Sequence, residues 1–284
     1  MIREPFLFLK MKGCTKLDFI IDMYNSIVLT LSDIWYNLQS DFITCFIAKD
    51  RWRYYVEGIG NTLTMTAIAL CIGAVIGIII ALIRSTWDKN NENMSGGFRV
   101  LMKILNAVCK IYLTVIRGTP VIIQLMIIYF VVFASSNNGV LIGALAFGIN
   151  SGAYAAEIFR SGIMSIDKGQ FEAGRSLGFS YIGTMRYIIM PQAIKNVLPT
   201  LANEFIVLLK ETSVAAYVSV MDLTKAGDMV RGATYIQFMP LLAVAACYLV
   251  LVLFFTWLVS KLERKMSQSK SGSTKAIKAT KRGV

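Results

Sequence analysis

The sequence predicts an all-α, polytopic membrane protein, and three observations support this fold class. Hydrophobic residues make up 56% of the 284 residues, and the mean hydropathy is +0.60. Several continuous apolar runs are longer than the roughly 20 residues that a helix needs to cross the hydrocarbon core of a bilayer. The strands of a membrane barrel would alternate between apolar and polar residues, whereas these runs are unbroken, so the spanning elements should be helices.

The basic charge of the chain fits a membrane protein better than a nucleic-acid-binding protein. The formal net charge is +12, and the basic residues gather at the ends of the apolar runs and in the C-terminal tail. The positive-inside rule produces this distribution. The chain has no histidine and its five cysteines lack CxxC spacing, so we expect no metal site, no cofactor and no disulfide framework.

Residues 1–57 form a mixed N-terminal segment ahead of the apolar part of the chain. The apolar residues between 17 and 31 are interrupted by Asp18 and Asp22, which makes this run short for a membrane span. We expect an amphipathic helix that lies at the membrane interface. The alternative is that residues 17–47 contain a sixth span.

The transmembrane domain covers residues 58–260 and begins with a span at about 59–83. Small residues recur at every fourth position of this span, and again in a third span at about 140–159. Small side chains let two helices approach closely, which is a common way for helices to pack in lipid. The two sets are Ala69, Gly73, Gly77 and Ala81 in the first span, and Ala144, Gly148, Gly152 and Ala156 in the third.

The second span, at about 111–133, is interrupted by the sequence Arg-Gly-Thr-Pro at 117–120. Pro120 has no N–H for the carbonyl four residues earlier, so we expect the helix to kink there. The backbone groups that are freed beside Thr119 need a partner within the membrane, and a bound zwitterion could supply it. Arg117 lies about two turns from the inner end of the span, so its side chain can extend to the interface.

The fourth and fifth spans are expected at about 199–220 and 238–259. The tail at 261–284 combines many lysine and arginine residues with serine, glycine and threonine. We expect this tail to be disordered and to be attracted to the anionic inner leaflet.

The charges of the loops predict the orientation of the chain. The segment 84–110 and the tail are strongly basic, which indicates the cytoplasmic side. The loop at 134–139 has no charge and the loop at 221–237 is roughly balanced, so both are expected outside. Five spans with an external N-terminus and an internal C-terminus satisfy this pattern.

Charged residues inside the predicted spans are candidates for function, because an ionisable group at bilayer depth costs about 2.5–3.5 kcal/mol on insertion scales. Lys210 and Glu211 lie near the middle of the fourth span, and as neighbours they point to different faces of the helix. At least one of these faces should meet a cavity, a substrate or another subunit. The alternative is a structural pairing with another helix.

A second group of polar residues lies in the third span. Glu157 and Arg160 are three residues apart and could form an ion pair with each other. In the alternative interpretation, Glu157 faces a polar pocket together with Tyr154 and Asn150, which lie one and two turns earlier on the helix.

A polar, charged loop at 167–196 separates the third and fourth spans. Its central part, 172–191, begins with a helix-forming run, breaks at Gly178, and continues as a second amphipathic stretch to Pro191. Glycine suits a left-handed turn that other residues adopt only with strain. We therefore predict two short helices that meet at an elbow outside the bilayer and dock into a partner.

The same loop contains the glycine spacing of a phosphate-binding loop at 169–176. Arg175 stands where that motif requires lysine, and no buried strand precedes it. If ATP drives this protein, its hydrolysis is therefore expected from another polypeptide.

The elbow resembles the signature loop of ABC-importer permeases, which inserts into a cleft on the ATPase subunit. The residues that match are Glu172, Ala173, Gly178, Ile188 and Pro191. Gly174 and Met190 depart from the usual alanine and leucine, and Gly174 lowers helix propensity by about 1 kcal/mol. Four further blocks resemble the polar-amino-acid permeases of this family: GIGNTLTMT at 58–66, YLTVIRGTPVIIQL at 112–125, SGAYAAEIFRSGI at 151–163 and NEFIVLLKETSVA at 203–215.

This resemblance implies a transport subunit of the cell membrane that is not itself an enzyme. It implies a five-helix permease core that works as a pair, two cytoplasmic ATPase subunits and an extracytoplasmic solute-binding protein. It also implies that the block carrying Tyr154 and Glu157 contacts the substrate, and that ATP-driven movement of the elbow alternates access between the two sides.

The candidate substrate-binding residues are Thr119, Asn150, Tyr154, Glu157, Lys210 and Glu211, and the candidate ATPase-coupling residues are the five matches in the elbow. The competing interpretation is an ion-coupled secondary amino acid transporter or a channel. The sequence leaves open which amino acid is carried, and whether the second permease is an identical or a related chain.

Overall fold

The computed structural model describes the backbone of residues 16–282 and the side chains of residues 23–92 and 94–264. Throughout this part of the chain the regular structure is helical. The α-helices are α1 (Lys16–Phe42), α2 (Trp52–Asn90), α3 (Gly96–Gly118), α4 (Val121–Ile127), α5 (Gly139–Met164), α6 (Lys168–Ser176), α7 (Tyr181–Thr184), α8 (Met190–Glu211), α9 (Leu223–Thr234) and α10 (Phe238–Arg282). Short π-helical turns follow α1, α4 and α7 at Ile43–Ile47, Ile128–Val132 and Met185–Ile189, and a 3-10 helix follows α8 at Thr212–Val218.

The membrane-spanning elements agree with most of the predicted spans. By length and composition, α2, α5 and the Phe238–Arg264 part of α10 can each cross a membrane. The pair α3 and α4, with the turn after α4, qualifies together as one span that is bent by 108° at its break. In chain order, α2, the α3–α4 pair, α5 and α10 lie where the sequence predicts the first, second, third and fifth spans. The prediction of an all-α membrane protein is confirmed.

The two sets of small residues bring α2 and α5 together. A Cβ atom added to Gly73 would lie 3.0 Å from Ser151 Oγ, and one added to Gly77 would lie 2.6 Å from Ala155 Cβ. The two helices are therefore packed so closely that a side chain at either glycine would collide with α5. Two thirds of the spanning part of α5 is buried, so α5 is a central helix of the bundle.

The segment 84–110, which the sequence predicts as a basic loop, is mostly helical, and that expectation is corrected. α2 continues to Asn90 and α3 begins at Gly96. Met102 and Cys109 are buried on one side of α3, while lysine and arginine are good helix formers. The basic residues therefore lie on the polar face of an amphipathic helix.

The fourth predicted span, at about 199–220, is displaced along the chain. α8 begins at Met190, has Pro191 in its first turn and contains Pro199 in its interior. The π-helical turn Met185–Ile189 leads directly into α8, so the chain is helical without a break from Tyr181 to Glu211, and both prolines lie within this run. α8 packs against α5 and α10. Within the described part of the chain, α8 is not among the helices with the composition of a span, and it carries the charged residues Lys195, Glu204, Lys210 and Glu211.

The predicted external loop at 221–237 contains the helix α9. Asp222 is buried and caps this helix, since its carboxylate accepts from the backbone N–H of Thr224 at 3.1 Å and of Lys225 at 2.8 Å. Burial raises the pKa of Asp222, while these hydrogen bonds oppose the rise. α9 packs against α2 and α10, next to Gly58 near the first turns of α2. This end of the bundle is therefore closed by a helix.

The two ends of the chain are more helical than predicted. α1 extends beyond 17–31 to Phe42, and it is not among the described helices with the composition of a span. Its position at the membrane interface stays a prediction, and residues 1–15 lie outside the described part. α10 continues to Arg282, whereas the sequence predicts disorder from 261. Once a helix exists, each further residue adds one hydrogen bond, so good helix formers such as lysine and alanine can extend it.

Candidate functional site

The break between α3 and α4 is held by a side chain that the sequence analysis missed. Gln124 Nε2 donates to the carbonyl oxygens of Ile116 at 2.7 Å and Thr119 at 3.1 Å, and to Thr119 Oγ1 at 2.7 Å. The predicted kink at Pro120 is therefore a sharp break, and Gln124 satisfies the backbone groups that the proline frees. A bound zwitterion is not needed for that purpose.

Asn150 belongs to this support. It is buried on α5, and its Nδ2 donates to Gln124 Oε1 at 3.0 Å. Its amide thereby fixes the orientation of Gln124, which in turn fixes the break. The amide nitrogen of Asn150 is thus engaged in the protein interior in this structure, and its contact with a substrate stays a prediction.

The charged groups nearest to the break form a cluster. Arg117, at the end of α3, pairs with Glu157 on α5, and its guanidinium lies 5.6 Å from the centre of the Tyr154 ring. The pairing of Glu157 with Arg160, one of the two interpretations from the sequence, is therefore wrong, while the extension of Arg117 to the membrane interface stays a prediction. Arg160 pairs with Asp88 of α2 instead, with a shortest distance of 2.8 Å.

This cluster is open to two cavities. Arg117, Tyr154 and Glu157 line a cavity of about 550 Å³ together with the basic residues Arg84 and Lys110. Glu157 also lines a cavity of about 820 Å³ on the other side, between α5 and α8. The side chains of Arg117 and Glu157 are 42% and 45% exposed. Groups of both charges are thus available to a ligand beside the broken span.

Lys210 and Glu211 lie apart from this cluster, at the last turn of α8. Within the described side chains, no hydrogen bond or ion pair joins either residue to Arg117, Tyr154 or Glu157. The carboxylate on α8 that contacts α5 is Glu204, which accepts from Ser151 Oγ at 3.1 Å. Glu204 lies seven residues, or two helical turns, before Glu211, so the sequence already places both carboxylates on the same face of the helix.

The loop after α5 forms the predicted elbow at 172–191, whose two arms are α6 and the helical run that begins with α7. Gly178 has φ = +81°. The N–H of Phe179 bonds the carbonyl of Gly174 at 3.0 Å, and the N–H of Gly178 bonds that of Arg175 at 2.9 Å. These two bonds are the Schellman arrangement that ends a helix at a left-handed glycine. The predicted break at Gly178 is confirmed.

Gly174, which the sequence analysis treats as a small loss of helix propensity, joins the two arms of the elbow. A Cβ atom added there would lie 2.6 Å from Thr184 Cγ2 and 3.2 Å from Ile188 Cδ1. The glycine therefore lets α6 approach the second arm, and this close contact offsets its low propensity. Ile188, predicted to contact the ATPase, is half-buried in the same place and packs inside the chain.

Two large apolar side chains at the turn of the elbow are strongly exposed among polar and charged residues. Leu177 and Ile182 are 74% and 75% exposed, on either side of the turn at Gly178. Glu172, Ala173 and Pro191, the remaining predicted coupling residues, are exposed as well. An exposed apolar patch of this kind marks a surface that binds another protein or a membrane.

Comparison with known proteins identifies the family. Residues 94–268 match the model of the binding-protein-dependent transport system inner membrane component. The chain is 38% identical over 216 residues to a putative glutamine transport system permease protein of Rickettsia bellii, which covers 75% of this chain and 93% of the relative. It is 35% identical over 215 residues to the glutamine transport system permease protein of Escherichia coli, which covers 74% and 92%.

Two solved structures have a similar fold. An amino acid ABC transporter crystallised with histidines matches with a TM-score of 0.65 and 41% identity, over 75% of this chain and 94% of that one. The MetNI methionine ABC transporter, in an inward-facing conformation, matches with a TM-score of 0.64 and 20% identity, over 77% and 99%. The second likeness is in fold alone. From the sequence matches, this chain belongs to the family of binding-protein-dependent inner membrane transport components and is a permease subunit of an ABC importer.

Proposed function

We propose that this permease carries polar amino acids past the Arg117–Glu157 pair. An amino acid at neutral pH has one positive and one negative group, and the pair offers a partner for each. The aromatic ring of Tyr154 beside Arg117 adds an apolar surface for a side chain. The names of the relatives, which refer to glutamine, support the substrate class. This exposed pair of opposite charges beside the broken span is the observation that carries the proposal.

The proposal includes a second permease chain. Arg117 and Glu157 are almost half exposed at the surface of a membrane bundle, where contact with lipid would be costly. A second permease, identical or related, would cover this surface and enclose the cavity. Access to that cavity would then alternate between the two sides of the membrane.

The elbow is the proposed docking site for the ATPase subunit, on the cytoplasmic side. The exposed apolar side chains of Leu177 and Ile182 at its turn suit a contact with another protein, and its position between α5 and α8 connects that protein to the substrate cavity. The α9 end of the bundle then faces outward, towards the solute-binding protein. An ion-coupled secondary transporter would have no use for such an elbow, and the family membership favours the ATP-driven mechanism.

Transport by the reconstituted complex tests this function. The chain is inserted in vesicles with its ATPase and binding protein, and uptake of radiolabelled L-glutamine is measured with L-histidine, L-arginine and L-glutamate as competitors. We expect uptake that requires ATP and the binding protein, and competition by at least one polar amino acid. Uptake that persists with a hydrolysis-deficient ATPase, or that follows an ion gradient alone, would overturn the proposal.

The variant Glu157→Gln should weaken substrate binding strongly. The change removes the negative charge and leaves Arg117 without its counter-ion, so the cavity becomes more basic. Because the pair is partly exposed, we expect the KM for uptake to rise about tenfold rather than by the larger factors of fully buried pairs. The measurement is the concentration dependence of uptake.

A matched control is Glu57→Gln, the same substitution at an exposed position near the start of α2 and away from the candidate site. This variant should retain the wild-type KM. A normal KM in Glu157→Gln would remove Glu157 from the substrate site.

A further inference from the structure

The last turn of α2 lies between the elbow and the α5 helix that carries Glu157. Asp88 Oδ2 accepts from Arg160 Nε at 3.2 Å and from Arg160 Nη2 at 2.8 Å. The next residue, Lys89, places its Nζ 3.6 Å from the centre of the Phe171 ring on α6. Adjacent residues on a helix point about 100° apart, so one turn of α2 can reach α5 and α6 at once.

The contact between Lys89 and Phe171 helps to hold α6, the first arm of the elbow, against the bundle. Phe171 packs against the buried group that includes Ile163 and Ile166, which follow Arg160 in the chain. Lys89 covers the exposed side of its ring. A movement of α6 that displaces Phe171 must therefore change the position of Lys89 or break this contact.

The contact on the α5 side lies one turn from the candidate site. Arg160 is three residues after Glu157 on the same helix, so the two side chains lie on neighbouring turns. α5 is also pressed along its length against α2 by the glycine contacts described above. The ion pair with Asp88 thus links the last turn of α2 to α5 one turn away from Glu157.

We propose that Asp88 and Lys89 are positioning residues for transport, which transmit movement of the elbow to α5 and the Arg117–Glu157 pair. The inference rests on the proposed function of the elbow and adds the path by which its movement reaches the cavity. Partly exposed ion pairs contribute little to folding, so the pair of Asp88 and Arg160 is better placed to couple two movements than to hold the fold.

Exchanging the charges of the ion pair tests this path. The variants are Asp88→Arg, Arg160→Asp and the double variant with both changes, each in vesicles with the ATPase and binding protein. The measured quantity is L-glutamine taken up per ATP hydrolysed. We expect each single variant to lower this ratio about five- to tenfold, within the usual range of coupling between sites. The double variant restores the opposite charges and should recover most of the loss.

The variant Arg99→Asp supplies a control, since it reverses a charge at an exposed position on the polar face of α3, outside the elbow and the candidate site. This variant should keep the wild-type ratio. A double variant as impaired as the single ones, or single variants with a normal ratio, would overturn the proposed path.

Lys89 provides a second test that does not depend on the charge exchange. Lys89→Arg keeps a cation over the Phe171 ring, whereas Lys89→Met keeps a long apolar side chain without the charge. We expect a lowered ratio in Lys89→Met and a nearly normal one in Lys89→Arg. Equal, normal ratios in both variants would contradict the inference.

The wild-type complex separates a failure of this inference from a failure of the proposed function. If the wild-type complex showed no ATP-dependent uptake, the proposed function itself would fail.

Discussion

The variant Gly77→Val should not accumulate as a folded protein in the membrane. A Cβ atom at this position would lie 2.6 Å from Ala155 Cβ and 2.8 Å from the Ala155 carbonyl carbon. Neither is the end of a flexible side chain, so the helices α2 and α5 themselves would have to separate. Overpacking of this kind typically costs about 1–3 kcal/mol, and here it opens the central contact of the bundle.

The same substitution at Gly60 is the control, because nothing lies within 4 Å of a Cβ atom built there and the residue is on the same helix. Membrane abundance and the melting temperature of the detergent-purified protein are the measurements. We expect wild-type values for Gly60→Val and loss of the monodisperse protein for Gly77→Val. Normal abundance of Gly77→Val would show that the contact between α2 and α5 can adapt.

This contact illustrates what the sequence could predict. A small residue at every fourth position is a local, periodic signal, and in lipid it has one common meaning, which is close helix packing. The same holds for Gly178, where the break in a helical pattern at a glycine is read from neighbouring residues. The spans at α2, α5 and α10 follow from composition in the same way.

The partners of the charged residues could not be predicted by such local signals. Glu157 and Arg160 are spaced for an ion pair within one helix, yet each pairs with a residue on another helix. Arg117 and Asp88 lie 40 and 72 positions away from their partners. Only the packing of α2, α3 and α5 decides between these pairings. The sequence of α5 alone favours the pair within the helix, between Glu157 and Arg160.

The misinterpretation of Gly174 has the same origin. In an isolated helix a glycine is only a loss of propensity, of about 1 kcal/mol. In the elbow it faces Thr184 across a turn whose geometry depends on Gly178. The packing role of Gly174 therefore depends on the turn at Gly178, which places the two arms of the elbow side by side.

The variant Gly178→Val should abolish most transport while the membrane bundle stays intact. The residue has φ = +81°, a backbone conformation that costs an ordinary residue about 1–2 kcal/mol and a β-branched residue more. No atom lies within 4 Å of a Cβ atom built there, so the penalty comes from the backbone and not from a collision. The turn that places Leu177 and Ile182 on one surface would be lost in most molecules.

A penalty of that size reduces the population of the correct turn by about five- to thirtyfold, and we expect uptake and co-purification of the ATPase to fall by a similar factor. Gly97→Val, at an open position near the start of α3, should have neither effect. Gly178→Asn should retain more activity than Gly178→Val, because asparagine tolerates the left-handed conformation better. If all three variants transported normally, the elbow would not be the element that receives the ATPase, since its shape depends on this one backbone angle.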